Sequence, residues 1–494
     1  MLELTREIND ILDVGYALAT EKYFQKLFDI VLNSCMKFTN SDAGVLYLVN
    51  YDGDNDAFSL RSILHINRTL EARGMRYNAA EEEIEFSARN IVCDAALHKE
   101  TMRIEDVYKE KTFEVLKIKE YDAHYNYLTQ SLMLVPIFEP GKKVIGVVEL
   151  INCYDDSGNA MPYPEDYVKL VNSLTSQMAI ALNNIEQAQK SDDLLYSFVE
   201  SMTAAIDART PYNANHTRNV AKYCMEVVDE INALHTRDEY SVYINENDRE
   251  QLYMAAMLHD LGKMVTPREV LNKSTRLGEK YDGLMNKLEK ISLLMKIDKL
   301  EGRMDPTEWA MADLRISNFM AELNGINIRE RLNDSEIYRI NEMAKKVYVY
   351  KDGREIPYLD EEEKKALNIV KGTLTPDERQ IVQKHVEMTD TLLKQIKFND
   401  KYNKVRDIAV KHHEFLDGSG YPNNLKADDL DILTRILTII DIYDSLTADD
   451  RPYKGAVPPH KALDIIEAMA QEGKLDKDLV RITHDLMRRK LYGR

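Results

Sequence analysis

The stretch LYMAAMLHDLGKM, residues 252–264, joins an apolar helical run to a polar end. The run ends at Gly262 and presents His259, Asp260 and Lys263 within its last turn. Burial of three such groups is unfavourable unless they are paired or ligated. Adjacent His and Asp side chains can bind a metal from one backbone, and a carboxylate can bridge two ions. Lys263 lies four residues after His259 and can contact a phosphate oxygen as a point charge. The stretch therefore predicts a metal site beside a phosphate-binding lysine.

Two further histidines fall on helix faces that otherwise are apolar. His216 shares a helical stripe with Val220 and Cys224. His385 lies on the apolar face of a helix that begins TPDERQIVQKH (375–385), where the threonine, proline and glutamate form a capping-box signal. A single inward histidine is more often a hydrogen-bonded core residue than a ligand, so the argument depends on their number.

The same pattern recurs twice nearer the C-terminus. VRDIAVKHHEFLDGSGYP (405–422) places two histidines at a helix end, and RILTIIDIYD (435–444) buries an aspartate in an apolar run. The set is too large for one ion and predicts two, with Asp260 bridging. Mixed imidazole and carboxylate ligation suits iron, with manganese or zinc as alternatives. The candidate ligands are His216, His259, Asp260, His385, His412, His413 and Asp441.

This half of the chain resembles the HD-GYP family. The motifs HDLGK (259–263), HHEFLDGSGYP (412–422), DIYDSLT (441–447) and RPYK (451–454) occur in the family's order, over roughly residues 200 to 490. The resemblance implies an all-helical bundle that hydrolyses cyclic di-GMP to pGpG, GMP or both, with two divalent ions on the seven ligands named above. It implies catalytic roles for Asp260 and Lys263, with Lys263 on phosphate, and substrate binding by Arg451 and Lys454.

Two features depart from the family pattern. Members with a third metal have a glutamate four residues before the first histidine, and here that residue is Tyr212, so a binuclear site is expected. About 95 residues, near 276–371, intervene before His385, where the family segment is short. This insertion has a helical pattern, including a stripe of Leu284, Leu288, Ile291 and Met295. It is interpreted as a lid, a dimer contact, a partner site or a decorative insertion.

The N-terminal third alternates helical and strand signals. EKYFQKLFDIVLNSCMKF (21–38) has a helical stripe, AGVLYLV (43–49) is a buried strand, and Pro140-Gly141 lies between two apolar runs as in a hairpin. These signals predict an α+β domain with an antiparallel sheet and flanking helices.

SDAGVLYL (41–48), LVPIFEPGKKVIGVVELIN (134–152) and PYPEDYVKLVNSLTSQMAIALNN (162–184) resemble a GAF domain. The resemblance implies a sensor or dimerisation module. The N-K-x-x-F motif of cyclic-nucleotide-binding members is broken here, because Cys153 and Tyr154 follow Asn152. A small-molecule ligand and a purely dimerising role both stay open.

A long helix is predicted between the two halves, over residues 174–208. Apolar residues recur along it at three- and four-residue steps around Asp192, which predicts a parallel coiled coil and hence a homodimer with a signalling helix. The alternative is a single amphipathic helix on its own domain. The predicted organisation is a GAF domain over 1–173, the linking helix over 174–208 and the HD-GYP domain over 209–494. The seam consists of Ala181, Ile185, Ala188, Leu195, Val199, Met202 and Ile206.

Composition restricts the class of protein. The chain has 494 residues, enough for two or three domains, and a formal net charge of −19, which disfavours nucleic-acid polymers and anionic membranes as partners. Its four cysteines are scattered without a C-x-x-C pair, and no apolar run approaches the length of a spanning helix. A cytoplasmic protein without disulfides is expected.

Three alternative functions stay open from the sequence. Another cyclic dinucleotide, such as cyclic GMP-AMP, would use the same phosphate chemistry. A different nucleotide phosphohydrolase of the wider HD superfamily would not need His385, His412 and His413 together. A non-catalytic signalling or scaffolding module would not need the complete ligand set or Lys263.

Overall fold

The computed structural model describes residues 12–21, 23–51, 58–75, 83–85, 87, 89–139, 143–209, 215–448 and 457–493. The chain divides into two compact units, Met1–Leu194 and Leu195–Arg494. None of the helices in these ranges is both long enough and apolar enough to cross a membrane.

The first unit is built on one antiparallel sheet. Its strands are ordered β3-β2-β1-β6-β5-β4, with β7 paired to β6. The predicted strand 43–49 lies within β1. The two apolar runs of the predicted hairpin pair as β5 and β6, and their turn at Pro140-Gly141 lies outside the described residues. The strands are β1 Ser41–Tyr51, β2 Phe58–Asn67, β3 Glu83–Ile84, β4 Met102–Ile104, β5 Leu132–Phe138, β6 Val144–Tyr154 and β7 Ala160–Met161.

Helices cover both faces of this sheet. Because successive strand residues point to opposite faces, Leu46 joins the core under α2, while Val45 and Tyr47 join a second core under α4 and α5. The prediction of an α+β domain with an antiparallel sheet is confirmed. The helices are α1 over 12–20, α2 Phe24–Phe38, α3 Arg68–Ala72, α4 Ile91–His98, α5 Leu116–Tyr125 and α6 Glu165–Asp207.

Helix α6 is continuous but contributes to the cores of both units. It begins nine residues before the predicted start at 174, since the helix starts at Glu165. Val199 and Ile206 are buried in the second unit's core, and Leu195 and Met202 pack against that core. The predicted coiled-coil seam is therefore wrong from Leu195 onward, because these side chains already pack within their own chain.

In the first half of the seam, only Ala181 is buried within its own chain, so a seam from Ile185 to Ala188 stays a prediction. Ala181 lies in the core of the first unit, and Ala188 is exposed.

The second unit is mostly helical. One apolar core runs from the end of α6 through α7, α8, α16, α17, α18 and α19. The all-helical prediction holds for this core. The helices are α7 His216–Thr236, α8 Glu246–Leu258, α9 Arg268–Leu271, α10 Lys280–Leu300, α11 Pro306–Ile328, α12 Asp334–Ala344, α13 Glu361–Leu367, α14 Pro376–Gln383, α15 His385–Leu393, α16 Val405–Val410, α17 Ile432–Thr447, α18 Pro459–Gln471 and α19 Lys477–Tyr492.

The insertion has a core of its own. Buried residues from Leu277 to Leu367 form a separate apolar cluster, and the predicted stripe Leu284, Leu288, Ile291 and Met295 is buried within it. The prediction that the insertion is wholly helical is wrong in one detail. Strands β8 Val347–Val349 and β9 Glu355–Pro357 pair as a short hairpin, whose turn places Gly353 at a φ of 79°. Only glycine adopts that conformation without strain.

Candidate metal centre

Three of the predicted ligands are held at helix ends in the same way. His259 follows the last residue of α8, His385 begins α15, and His412 lies just beyond α16. In each case the ring Nδ1 lies 2.6 Å from the carbonyl oxygen three residues earlier. A carbonyl can only accept, so each Nδ1 carries the proton and each Nε2 presents a lone pair. This backbone contact fixes both the tautomer and the direction of the ligand atom.

The Nε2 atoms of these three histidines are buried polar groups, and none of the described residues forms a hydrogen bond with them. Among the described residues, the Nε2 atoms of His259, His385 and His412 and the Oδ1 atom of Asp260 have no hydrogen-bond partner. Buried polar atoms are normally hydrogen-bonded, and an orphan has a high free-energy cost. Divalent metal ions would satisfy all four atoms at once, so the donor set fits the predicted cofactor.

The two carboxylates lie between the imidazoles. Asp260 places Oδ2 3.2 Å from His259 Nε2 and Oδ1 3.5 Å from His385 Nε2. Asp441 places Oδ1 3.1 Å from His216 Nε2 and Oδ2 3.8 Å from His413 Nδ1. Each carboxylate therefore faces a different histidine with each of its oxygens, as a bridging ligand requires.

The seven predicted ligands form one cluster. Within it, three groups each have ligand atoms within 4.8 Å of one another, and the groups share His259 and His412. Overlapping groups of this kind suit two adjacent ions better than one. The groups are His385, His412 and His413; His216, His259 and Asp441; and His259, Asp260 and His412.

The electrostatics of the cluster favour neutral imidazoles on one side. Burial lowers the pKa of His385 and His412, and it lowers the pKa of His413 to about 4. These rings are neutral at pH 7 and ready to ligate. Burial acts to lower the pKa of His216 as well, but hydrogen bonds to Asp441 and Asp444 raise it to about 9. A metal cation would replace that proton.

Lys263 is paired within the protein. Its Nζ lies 2.5 Å from Asp260 Oδ2, on the short 3₁₀ helix Leu261–Val265 that follows the HD motif. Burial acts to raise the pKa of Asp260, but Lys263 and His259 hold it well below its usual range. The predicted phosphate-contacting amine therefore lies beside the metal-ligand carboxylate.

Asp444 is a supporting residue that the sequence analysis missed. Its Oδ2 lies 2.7 Å from His216 Nδ1, and its side chain is buried. It lies three residues after Asp441 on α17, so both carboxylates face the same side of the helix. That spacing in DIYDSLT was the available signal. Asp444 orients His216 as the backbone carbonyls orient the other histidines.

Thr389 and two glycines bring the metal-ligand segments together. Thr389 Oγ1 donates to the carbonyl of His259 at 3.1 Å and accepts from Gly262 N at 2.8 Å. A Cβ on Gly262 would overlap the carbonyl oxygen of His385, and one on Gly420 would overlap the backbone of Glu414. Both glycines therefore permit backbone approaches that no other residue allows.

Three predicted features lie outside the described residues. Arg451 and Lys454 fall in 449–456, and Tyr212 falls in 210–214.

Comparisons with known proteins agree with this architecture. A GAF domain model matches residues 24–182, and two HD domain models match residues 213–319 and 363–479. The chain combines a GAF domain with an HD domain. The two HD matches leave unmatched the stretch 320–362, which lies within the insertion.

Similar proteins include two curated phosphodiesterases. The 3'3'-cGAMP-specific phosphodiesterase 3 of Vibrio cholerae is 40% identical over 96 residues, 19% of this chain and 20% of that protein. A cyclic di-GMP phosphodiesterase of Thermotoga maritima is 35% identical over 105 residues, 21% of this chain and 27% of that protein. The GAF–HD chain thus spans about a fifth to a quarter of these relatives' length. The A. Aeolicus nlh2 GAF domain structure is similar at 15% identity and a TM-score of 0.27, covering 37% of this chain and 98% of its own.

Proposed function

We propose that this chain is a metal-dependent phosphodiesterase that hydrolyses cyclic di-GMP to pGpG, GMP or both. The observation that carries the proposal is the buried cluster of histidines and aspartates, in which four ligand atoms have no hydrogen-bond partner among the described residues. Sequence similarity to cyclic-dinucleotide phosphodiesterases over about a hundred residues of this chain supports this reaction class.

The proposed cofactor is a pair of divalent ions, iron first, with manganese or zinc as alternatives. The residues that would hold them are the seven clustered ligands. Such ions lower the pKa of water to provide a nucleophile at neutral pH and neutralise charge on phosphoryl oxygens. The residues around the cluster would hold these ligands in position, and Asp260 would bridge.

The protein's own groups would complete the reaction. Lys263, now paired with Asp260, would stabilise negative charge that develops on the phosphoryl oxygens. Arg451 and Lys454 are proposed to hold the distal phosphate or the guanine, offsetting the net charge of −19. All four cysteines are free and buried, which is compatible with the reducing cytoplasm that we propose as the compartment.

A second candidate substrate is 3'3'-cyclic GMP-AMP. A relative that is 40% identical over 96 residues is named a 3'3'-cGAMP-specific phosphodiesterase. The reaction acts on the phosphate, so the metal centre would serve either substrate, and base contacts would set the preference.

The test is turnover by full-length protein loaded anaerobically with Fe(II) or Mn(II). Cyclic di-GMP and 3'3'-cyclic GMP-AMP are compared, with His259→Ala/Asp260→Ala as the inactive variant. His460→Ala/Asp464→Ala, on the exposed face of α18, is the matched control. We expect hydrolysis of cyclic di-GMP by the wild type and the control alone. Metal-loaded protein that cleaves neither dinucleotide would refute the phosphodiesterase proposal.

The proposal includes regulation by the GAF domain within a homodimer. With the predicted seam partly buried, a different face of α6 supports dimerisation. Ile180, Leu194 and Phe198 are exposed, and their spacings of fourteen and four residues place them on one face. Leu194→Glu/Phe198→Glu should convert a dimer to a monomer in analytical ultracentrifugation, whereas Ala204→Glu on another exposed face should not. A wild-type monomer would contradict the dimer.

A further inference from the structure

A basic pocket lies where the insertion returns to the HD core. Its volume is about 520 Å³, and it is lined by residues of α13, the following loop and α14. Lys365, Lys371 and Arg379 all line it, and the described lining residues include no carboxylate. In a chain with a net charge of −19, three cations around one carboxylate-free cavity form a local electropositive site.

These three cations are exposed and available. Among the described residues Lys365, Lys371 and Arg379 have no ion-pair partner, whereas the neighbouring Lys364 pairs with Glu361 at 3.4 Å. Within the part of the chain that the structure describes, their charges are therefore not neutralised by an acidic side chain. Lysine binds phosphate as a point charge, and arginine can bind it through two parallel hydrogen bonds.

The rest of the lining adds amide groups. Asn368, Gln380 and Gln383 present donors and acceptors beside the cations. On α14 the lining residues Pro376, Arg379, Gln380 and Gln383 lie three, four and seven residues after the first, so they form one face. The cavity volume is in the range of small-molecule sites.

Helix α14, which forms one wall of the pocket, is followed in sequence by the metal ligand His385. Gln383 ends α14, and His385 follows two residues later. The carbonyl of Val382, on the same helix, accepts the hydrogen bond from His385 Nδ1 at 2.6 Å. The start of α14 is anchored by Glu378, whose carboxylate oxygens lie 2.7 and 2.8 Å from Lys273. A ligand that shifts α14 would therefore shift the group that orients His385.

We propose that this pocket binds a small phosphate-bearing anion and that its occupancy is coupled to metal binding through α14 and His385. The site is separate from the metal cluster, and the binding half of the proposal holds whether or not the chain hydrolyses a cyclic dinucleotide. Coupling is reciprocal: the anion must change metal affinity by the same factor by which metal changes anion affinity.

Binding is tested by calorimetric titration of the metal-free full-length chain. Inorganic phosphate and GMP are titrated separately. If GMP binds more tightly than phosphate, the amide side chains of the pocket are assigned to the nucleoside. The double variant Lys371→Gln/Arg379→Gln should weaken binding about tenfold or more, because each of its two substitutions removes a charge-assisted contact. Lys461→Gln, an exposed lysine on α18, is the control and should bind normally. Raised salt should weaken wild-type binding.

Any of three results would overturn the site. One is no detectable binding of either anion at millimolar concentration. The second is equal binding by Lys371→Gln/Arg379→Gln and wild type. The third is a loss of binding in Lys263→Gln in place of the double variant, which would assign the anion to the metal cluster.

Coupling is measured as the Mn(II) affinity of the chain with and without saturating GMP. A shift that is present in wild type and absent in Lys371→Gln/Arg379→Gln supports coupling, since the variant corrects for chelation of Mn(II) by GMP. Equal Mn(II) affinities with and without GMP in the wild type would overturn the coupling and leave the anion site intact.

Discussion

Replacing Asp444 by asparagine tests how the protein orients His216. The carboxylate is buried and accepts a hydrogen bond from His216 Nδ1 at 2.7 Å. Asparagine keeps the size of the side chain and can still accept that bond, so the substitution removes mainly the negative charge. We therefore expect the metal centre to weaken without loss of the fold.

The magnitude follows from the type of hydrogen bond. A bond to a charged group contributes about 1.5–3 kcal/mol and a neutral one about 0.5–1.5 kcal/mol. The difference of about 1–2 kcal/mol corresponds to roughly a five- to thirtyfold change in affinity. Substitution of a residue that orients a metal ligand typically lowers metal affinity by about ten- to a hundredfold. We therefore expect the Mn(II) affinity of Asp444→Asn to fall about tenfold or somewhat more.

The assay is competition for Mn(II) between the full-length protein and a chromophoric chelator. Asp464→Asn, an exposed aspartate on α18, is the matched control, and far-UV circular dichroism checks the fold of both variants. If Asp444→Asn is folded and binds Mn(II) as tightly as Asp464→Asn does, the orienting role assigned to Asp444 is refuted.

Three further predictions concern stability. Gly262→Ala should destabilise the protein by about 2–3 kcal/mol or more in urea unfolding, because its Cβ would overlap the His385 carbonyl. Gly283→Ala is the control, since a Cβ there meets open space on α10, and it should stabilise the protein by about 0.5–1 kcal/mol. Equal effects of the two substitutions would contradict the packing argument. Arg276→Met should lower the free energy of unfolding by about 2–4 kcal/mol, because the buried guanidinium donates hydrogen bonds to the carbonyls of Ile326 and Ile369 in the insertion. Amide hydrogen exchange across the insertion should become faster, and unchanged exchange would count against this role of Arg276. The metal-free protein should lose stability as the pH falls from about 6.5 to about 4. Burial lowers the pKa of His412 and lowers that of His413 to about 4, so these histidines take up protons at higher pH in the unfolded chain than in the folded one. A urea midpoint that does not change over this pH range would rule this out.

Much of the fold was readable from local patterns. The capping box at Thr375, the buried strand at 43–49 and the stripe from Leu284 to Met295 all lie where the pattern placed them. These signals are local, because a cap or an apolar face depends on residues within a few turns. The seam along α6 was misread for the same reason. An apolar stripe looks the same whether it faces a second helix or, as at Val199, the chain's own core.

The sequence by itself determined the elements of the metal centre: which helices end in histidine, and which carboxylates lie in apolar runs. That information is local, since residue type and helical period are enough to mark a polar group as buried. Only the tertiary structure decided which ligand atoms face the cluster. It also revealed the contact of Asp444 with His216 and the three cations that line one pocket at α14. These depend on contacts between residues tens to hundreds of positions apart, and their distances are set by packing of the whole unit, which no local period encodes.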